Sequence, residues 1–444
     1  METMERKIWR TSETQLDNTG KTDVTEGLQA LIDAAAAEGG MVLVERGTYL
    51  TASLFLKSGM EFRLEEGAVL LGTTDESRYP VIRTRVAGVE MDWYPGILNC
   101  NGQQHVTISG PGTIDGQGEY WWDKYWGPDE KSGMRGEYDK KGLRWACDYD
   151  CRRVRNVVVM DSSQVELKDF TSTRSGFWNV HICYSSQVHV DGIRITACGL
   201  HSPSTDGIDI DSSEDVLVEH CVTSCNDDSI CIKSGRDADG LRVGRPCRRI
   251  VVQDCEIQAG FGVTIGSEVS GGVSDVTLRN IRYRGTDCGF RIKSSIARRG
   301  YIRNVLVENL DMVNVKYLFH MCLNWNPAYS YCSLPEGYAC DGDLPESWQK
   351  LLERIPDEVP LTQVSDIEIR NVKARYEDDY EGISRAFHLE GFAAEPIRRL
   401  TFRDMDLSCK EFGVIDYTRD IRFEHVSVSV SGARDEKNDS YDNR

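Results

Sequence analysis

The chain has 444 residues, with 52 Lys+Arg against 71 Asp+Glu, and so carries a net charge of −19. Hydrophobic residues at 40% and charged residues at 28% fit a globular chain with a large core and exclude disorder. The acidity argues against a nucleic-acid binder, which needs a basic footprint, and no apolar run approaches the roughly 20 residues of a membrane span. The opening METMERKIWRTSETQ has no apolar leader stretch. Fifteen cysteines, scattered and without a second pair at zinc spacing, read as buried free thiols of a reducing compartment. Together these features set the expectation of a cytoplasmic protein.

The first element in chain order is a helix over 22–40. Val24, Leu28, Leu31, Ile32 and Ala35 make one apolar face, and Asp23 with Glu26 has the spacing of a capping box. Its expected place is over the open end of a repetitive fold, where bare strand edges would invite association. Next comes GTIDGQGEYWW at 112–122, where Trp121, Trp122 and the nearby Trp126 suit core cover better than sugar stacking.

From residue 163 a short pattern recurs, as in SSQVELKDFTS, EDVLVEHCVTS, SDVTLRNIRYR and RDIRFEHVSVS. Its first apolar residue is in turn Val165, Val188, Val216, Ile250, Val276, Val305, Ile367, Leu400 and Ile421. The residues two and five positions further on are apolar in every copy, from Leu167 and Phe170 to Phe423 and Val426. Alternation at two is a strand with one buried face, and the step from two to five turns a corner into a new strand. Spacings run from 21 residues (400 to 421) to 34 (216 to 250), with one of 62 (305 to 367). This predicts an all-β, single-domain right-handed parallel β-helix over 1–444, coil stacked on coil at about 4.8 Å. A β-sandwich would need Asn-Gly or Asp-Gly turns at regular intervals, and these are missing. The longest gap holds an aromatic-rich insertion, 324–358, which suits the wall of a groove.

Four coils align on Ile210, Ile232, Ile265 and Ile292, reading TDGIDIDSS, DDSICIKSG, FGVTIGSE and FRIKSS. Asp206 then falls level with Asp228 and Phe261, and Asp209 level with Cys231, Thr264 and Arg291. Asp211 falls level with Lys233, Gly266 and Lys293, and Asp227 sits one residue before Asp228. Asp206, Asp227 and Asp228 thus share one strip with Lys233, Arg291 and Lys293. Carboxylates about 5 Å apart on adjacent coils raise one another's pKa, which keeps a proton available. One protonated and one ionised carboxyl are what hydrolysis of a glycosidic bond needs, with no metal or cofactor. A solvated acidic ladder would also cluster Asp at turns, but it would not place cations beside them. Trp178 and His181, one coil earlier, and His201 are further candidates to line the groove.

These segments resemble the polygalacturonase family of glycoside hydrolases, family 28. The family's Asn-Thr-Asp, Gly/Gln-Asp-Asp, Gly-His-Gly and Arg-Ile-Lys segments appear in order as Ser204-Thr205-Asp206, Asn226-Asp227-Asp228, Gly260-Phe261-Gly262 and Arg291-Ile292-Lys293. The likeness runs over nearly the whole chain and implies the same β-helix. It also implies metal-independent, inverting hydrolysis of α-linked galacturonic acid in pectic poly- or oligosaccharides. Asp227 would then be the general acid, and Asp206 with Asp228 the pair that activates water. Arg291 and Lys293, with His181 and Lys233, would bind substrate. The late stretch PLTQVSDIEIRNV…AFHLEG resembles exo-acting bacterial members, and the 324–358 insertion with Trp325 would block one end of the cleft. Ser204 and Phe261 depart from the pattern, and Phe261, unlike a His, can only desolvate a nearby carboxylate. That leaves open a rhamnogalacturonan or branched-pectin hydrolase of the same family. A calcium-dependent pectate lyase and a non-catalytic glycan-binding solenoid are the rival readings. The expected partner is a pectic glycan, with no cofactor, nucleic acid or membrane, and the oligomeric state is open.

Overall fold

The computed structural model describes residues 6–196, 201–339 and 342–431. The repeat forms a parallel β-helix, and the columns read from sequence are its hydrogen-bonded ladders. Val188 pairs with Val165 and Val216, Val276 with Ile250 and Val305, and Leu400 with Ile367 and Ile421. The anchors from Val165 to Leu400 are buried, as are the Leu, Val, Ile and Phe residues two positions on, so each coil contributes a rung to one continuous core. A second parallel sheet, eleven strands among the described residues, runs through Arg155–Met160, Val180–Cys183, Ile208–Asp211, Ile230–Lys233, Val263–Ile265 and Cys288–Lys293 to Tyr317–Cys322, Arg385–Glu390 and Glu411–Asp416.

Each coil turns through residues with left-handed backbone, one just before the anchor and one four after it. Asp275 (φ 58°), Asn280 (φ 57°), Asn304 (φ 54°) and Asn309 (φ 59°) show the pattern. This region costs an ordinary L residue about 1–2 kcal/mol. Asn and Asp offset the cost because their side chains hydrogen-bond to the same position on the next coil. Asn309 Nδ2 donates to Asn280 Oδ1 at 2.9 Å, and Asn371 Nδ2 donates to Asn309 Oδ1 at 2.6 Å. In the later coils the ladder continues through this corner, so Val273–Arg284 and Tyr301–Val313 are single bent strands. The expected break into two strands holds earlier, between Ser163–Lys168 and Thr171–Thr173.

Helix α1, Thr25–Ala37, lies within the predicted 22–40 and buries Leu28, Ile32 and Ala35. The capping box does not form. The Asp23 carboxylate accepts from Thr25 N at 2.9 Å and from Arg78 Nε at 2.9 Å, and Glu26 pairs with Arg78 at 2.6 Å. An arginine from a distant turn outcompetes the local cap. Helix α2, Gly118–Trp126, buries Trp121 and Trp122, whose indoles donate to Gly116 O and Ser175 O, so both are core cover.

A roof assembled from distant segments covers part of the second sheet. It comprises an antiparallel hairpin (Ile82–Val86 with Val89–Trp93), α3 (Met134–Lys140), α4 (Arg144–Asp150), α5 (Asp237–Val243), α6 (Pro327–Ser330) and α7 (Glu346–Leu352). The 324–358 insertion is pinned to the rest. Trp348 Nε1 donates to Asp150 at 3.0 Å, Lys350 Nζ to Glu90 O at 2.6 Å, and Arg83 pairs with Glu346 at 2.8 Å. Fully buried arginines fasten the roof to the coils: Arg85 to Asp211 (3.2 Å), Arg236 to Tyr149 Oη and Tyr329 O (2.7 Å each), and Arg298 to Asp237 (2.7 Å). A buried guanidinium without partners would cost several kcal/mol, so these contacts hold the segments in place. At the hairpin tip Gly88 (φ 81°) comes so close to the coil that a Cβ would lie 2.7 Å from Arg236 N.

The corner ladder is testable. Asn309→Ala loses both the side-chain bonds and the tolerance of left-handed backbone and is expected to lower unfolding free energy by about 1–2 kcal/mol. Asn309→Gly keeps the backbone freedom and should lose less, as measured by urea unfolding.

Candidate active site

The ladder sets the site's layout. Asp209 pairs with Cys231, Cys231 with Thr264 and Thr264 with Arg291, while Asp211 pairs with Lys233. The turns that enter these strands stack as well: Gly207 N donates to Asp228 O and Phe261 N to Asp227 O, each at 2.9 Å. Asp206, Asp227, Asp228, Arg291 and Lys293 are therefore brought together as their spacing predicted.

The pKa values of neighbouring carboxyls at the centre are shifted in opposite directions. Lys293 Nζ donates to Asp228 Oδ2 at 2.6 Å, Thr264 Oγ1 donates to Oδ1 at 2.8 Å, and Arg291 lies 3.6 Å from Oδ1. Burial opposes charge on Asp228, but Lys293 and Arg291 outweigh it and hold the carboxyl below the usual range. Asp227 accepts the Asp228 N–H at 2.9 Å. Burial and the negative charge on Asp228 raise its pKa above the ordinary value despite Lys293. Asp227 is also the half-buried member, whereas Asp206 and Asp228 are buried. The result is a more exposed carboxyl that binds a proton more readily than usual, beside a buried one that binds it less readily.

A second charge cluster lies against the first. Lys233 Nζ is 3.3 Å from both Asp206 Oδ2 and Asp209 Oδ1 and 3.5 Å from Glu268 Oε2, with the Trp178 ring 4.6 Å away. One ammonium among three carboxylates cannot neutralise them all. Burial, with Asp209 and Asp227 beside it, pushes Asp206 well above the usual range. Burial pushes Asp209 up to about 8 against the pull of Lys233. Glu268, buried but also facing Arg298 and Arg236, is held at about 2. Asp209 stood in its column in the sequence, but its part in the cluster was missed. Glu268 was missed because it follows the strand, and its partner Arg298 comes from a later coil.

Two expected substrate ligands are corrected. His181 is wholly buried, with Nδ1 2.8 Å from Arg155 Nη1 and Nε2 3.8 Å from Asp211 Oδ2, and burial lowers its pKa to about 4. The hairpin carrying Arg85 covers it, so it is a structural histidine. Lys233 is likewise buried, and its ammonium is committed to protein carboxylates, so it serves as their counter-charge. His201 is exposed and pairs with Glu130 at 3.1 Å.

Exposure along the strip is one-sided. Asn99, Val158, His181, Asp209 and Asp211, on coils up to the first acids, are 0–2% exposed. Past the cations in the Asp209 column, His320 is half-buried, His388 is 5% exposed and Val414, on the last described coil, is 37% exposed. The strip is roofed at its N-terminal end and more exposed past the cations. Asp206, Asp209 and Cys231 are close enough to hold a metal ion, but the Lys233 ammonium already sits between the two carboxylates.

Asp209 makes stability depend on pH. Between the ordinary carboxyl value near 3.8 and about 8, the folded chain holds a proton that the unfolded chain has released. Its contribution to stability is therefore lost as pH rises through that window. Asp209→Asn needs no proton, so the drop in melting temperature between pH 5 and pH 8 should be smaller than in the parent. An equal drop in both proteins would contradict the assignment.

The sequence profile of glycosyl hydrolases family 28 matches residues 84–326. The chain is 32% identical over 318 residues to the Vitis vinifera protein named "Probable polygalacturonase", covering 69% of this chain and 61% of that one. It is 28% identical over 285 residues to an endo-polygalacturonase of Pectobacterium carotovorum subsp. carotovorum, covering 60% and 63%. The chain thus spans about three fifths of the length of these curated relatives. The crystal structure of a hyperthermoactive exopolygalacturonase from Thermotoga maritima matches with a TM-score of 0.78 at 26% identity, covering 95% of this chain and 92% of that one.

Proposed function

The chain belongs to glycosyl hydrolases family 28, and from that premise we propose that it hydrolyses α-linked galacturonic acid in pectic poly- or oligosaccharides, working from a chain end. The observation that carries the chemistry is the split pair, Asp227 above and Asp228 below the usual carboxyl range, on one strip with Arg291 and Lys293. Asp227 gives its proton to the glycosidic oxygen as the bond to the anomeric carbon breaks. Asp228 takes a proton from the attacking water, whose oxygen forms the new bond. Asp206, across the Lys233 cluster, helps to orient that water. Arg291 and Lys293 pair with the sugar carboxylate, which suits a planar fork beside a point charge. Names of relatives on both sides of the comparison, polygalacturonase and exopolygalacturonase, support the substrate class.

End-on action rests on the one-sided exposure of the strip. A polymer cannot pass under a roof whose base residues are 0–2% exposed, so sugars are held only from the acids toward the C-terminal coils. A reducing compartment also fits: the thirteen cysteines among the described residues are free thiols, twelve of them buried.

On polygalacturonate, the smallest product should accumulate from the first minutes while long chains persist. An early smear of mid-length oligomers would contradict end-on action. Asp227→Asn should lower kcat by about 10²–10⁴ with KM little changed. Activity should fall on the alkaline side as Asp227 loses its proton and on the acid side as Asp228 gains one. Lys293→Met removes the strongest support for the Asp228 charge, so the acid limb of kcat should move to higher pH.

A further inference from the structure

Arg291 is an unusual cation for its setting. It is 6% exposed, and its ion pair with Asp228 is long at 3.6 Å. Buried guanidinium groups elsewhere in the molecule are held by short bonds, as in Arg236 to Tyr149 and Tyr329 and Arg298 to Asp237. Arg291 has aromatic faces instead. Its Cζ lies 4.9 Å from the centre of the Phe261 ring and 5.8 Å from that of Trp325, and the Trp325 ring is also 4.4 Å from Lys293 Nζ. Both rings are half-buried.

The rings are placed by the same backbone that places the acids. Phe261 N donates to Asp227 O at 2.9 Å, and Trp325 N donates to Ser294 O at 3.0 Å, one residue beyond Lys293. Phe261 stands level with Asp206 and Asp228, where a polar residue could have bonded to a carboxylate. A phenyl ring does something else there. Its face attracts a guanidinium without using any of its N–H donors, which stay available for a bidentate contact with a ligand carboxylate.

We propose that Phe261 and Trp325 are positioning residues that clamp the Arg291 guanidinium between their faces, with Trp325 also holding the Lys293 ammonium, and so set this site's affinity for the carboxylate of a uronic acid. The inference deepens the proposed function and rests on it. It gives Trp325 a task beyond walling the groove and accounts for Phe261 without requiring a rhamnogalacturonan or branched-pectin substrate.

The test uses the full chain and defined oligogalacturonides, with kcat and KM measured separately and affinity read by calorimetry in the Asp227→Asn background. Phe261→Leu and Trp325→Leu keep bulk and remove the ring face. Each should raise KM and the dissociation constant about tenfold, the scale of a desolvated cation–π contact, while kcat falls by no more than a few fold. Phe261→Tyr and Trp325→Phe restore a ring and should return affinity to within about twofold of the parent. On methyl-esterified oligomers, which lack the charge, the Leu variants should weaken binding no further. Melting temperature shows whether each variant is folded, and the ring-restoring variants carry the test if a Leu variant is not. Leu variants that bind as tightly as a binding-competent parent would overturn the clamp alone, as would a loss confined to kcat. A parent that neither binds nor cleaves oligogalacturonides would overturn the clamp together with the function it rests on.

Discussion

Parallel register is the constraint on which everything else in this molecule depends. When coil stacks on coil, a residue at a given place in the repeat has its nearest neighbours one coil up and one coil down, about 4.8 Å away. Apolar residues in such a column make a core. Charged residues in such a column interact whether or not the interaction is favourable. Here the turn column carries Asp206 and Asp228 on adjacent coils, with Asp227 beside them, and the outward columns carry Arg291 and Lys293 two coils on. The cations are two coils beyond Asp228, so their influence is uneven: Asp228 is held below the usual carboxyl range, while Asp227 and Asp206 are raised above it. The asymmetry that acid–base chemistry needs follows from the order of residues along the helix axis.

The roof turns an open strip into a site with direction. Its segments come from residues 82–93, 134–150, 237–243 and 327–352, none adjacent in the repeat, and buried arginines tie them to the coils. Those arginines serve position more than stability, since buried ion pairs contribute little net energy compared with well-packed apolar groups. Covering one end of the strip is the feature on which the proposed end-on action rests.

What was legible in the sequence follows from the same constraint. Ladder columns copy sequence spacing directly, so the β-helix, its inward residues and the alignment of Asp206, Asp228, Thr264 and Arg291 could all be read from one chain. Coverage could not. His181 and Lys233 stand in the right columns to face a groove, yet Arg155 on the preceding coil, Trp178 and the Arg85 hairpin, which comes from far outside the repeat, bury them. The capping box failed for a similar reason, because Arg78 reaches Asp23 and Glu26 from a later turn. Glu268 follows its strand and matters only because Lys233 and Arg298 converge on it. Local spacing carried the ladders, and long-range packing decided which of their residues meet solvent.

The central claim is that a protonated and an ionised carboxyl, held apart in charge by Lys293 and Arg291, carry out single-step hydrolysis without a metal. The most direct measurement is the configuration of the first sugar released from polygalacturonate in EDTA, followed by nuclear magnetic resonance alongside ultraviolet absorbance. The account predicts new reducing ends in the β configuration, inverted from the α linkage, with no absorbance from an unsaturated sugar. A first product that keeps the α configuration, or absorbance that grows only when calcium is added, would contradict it.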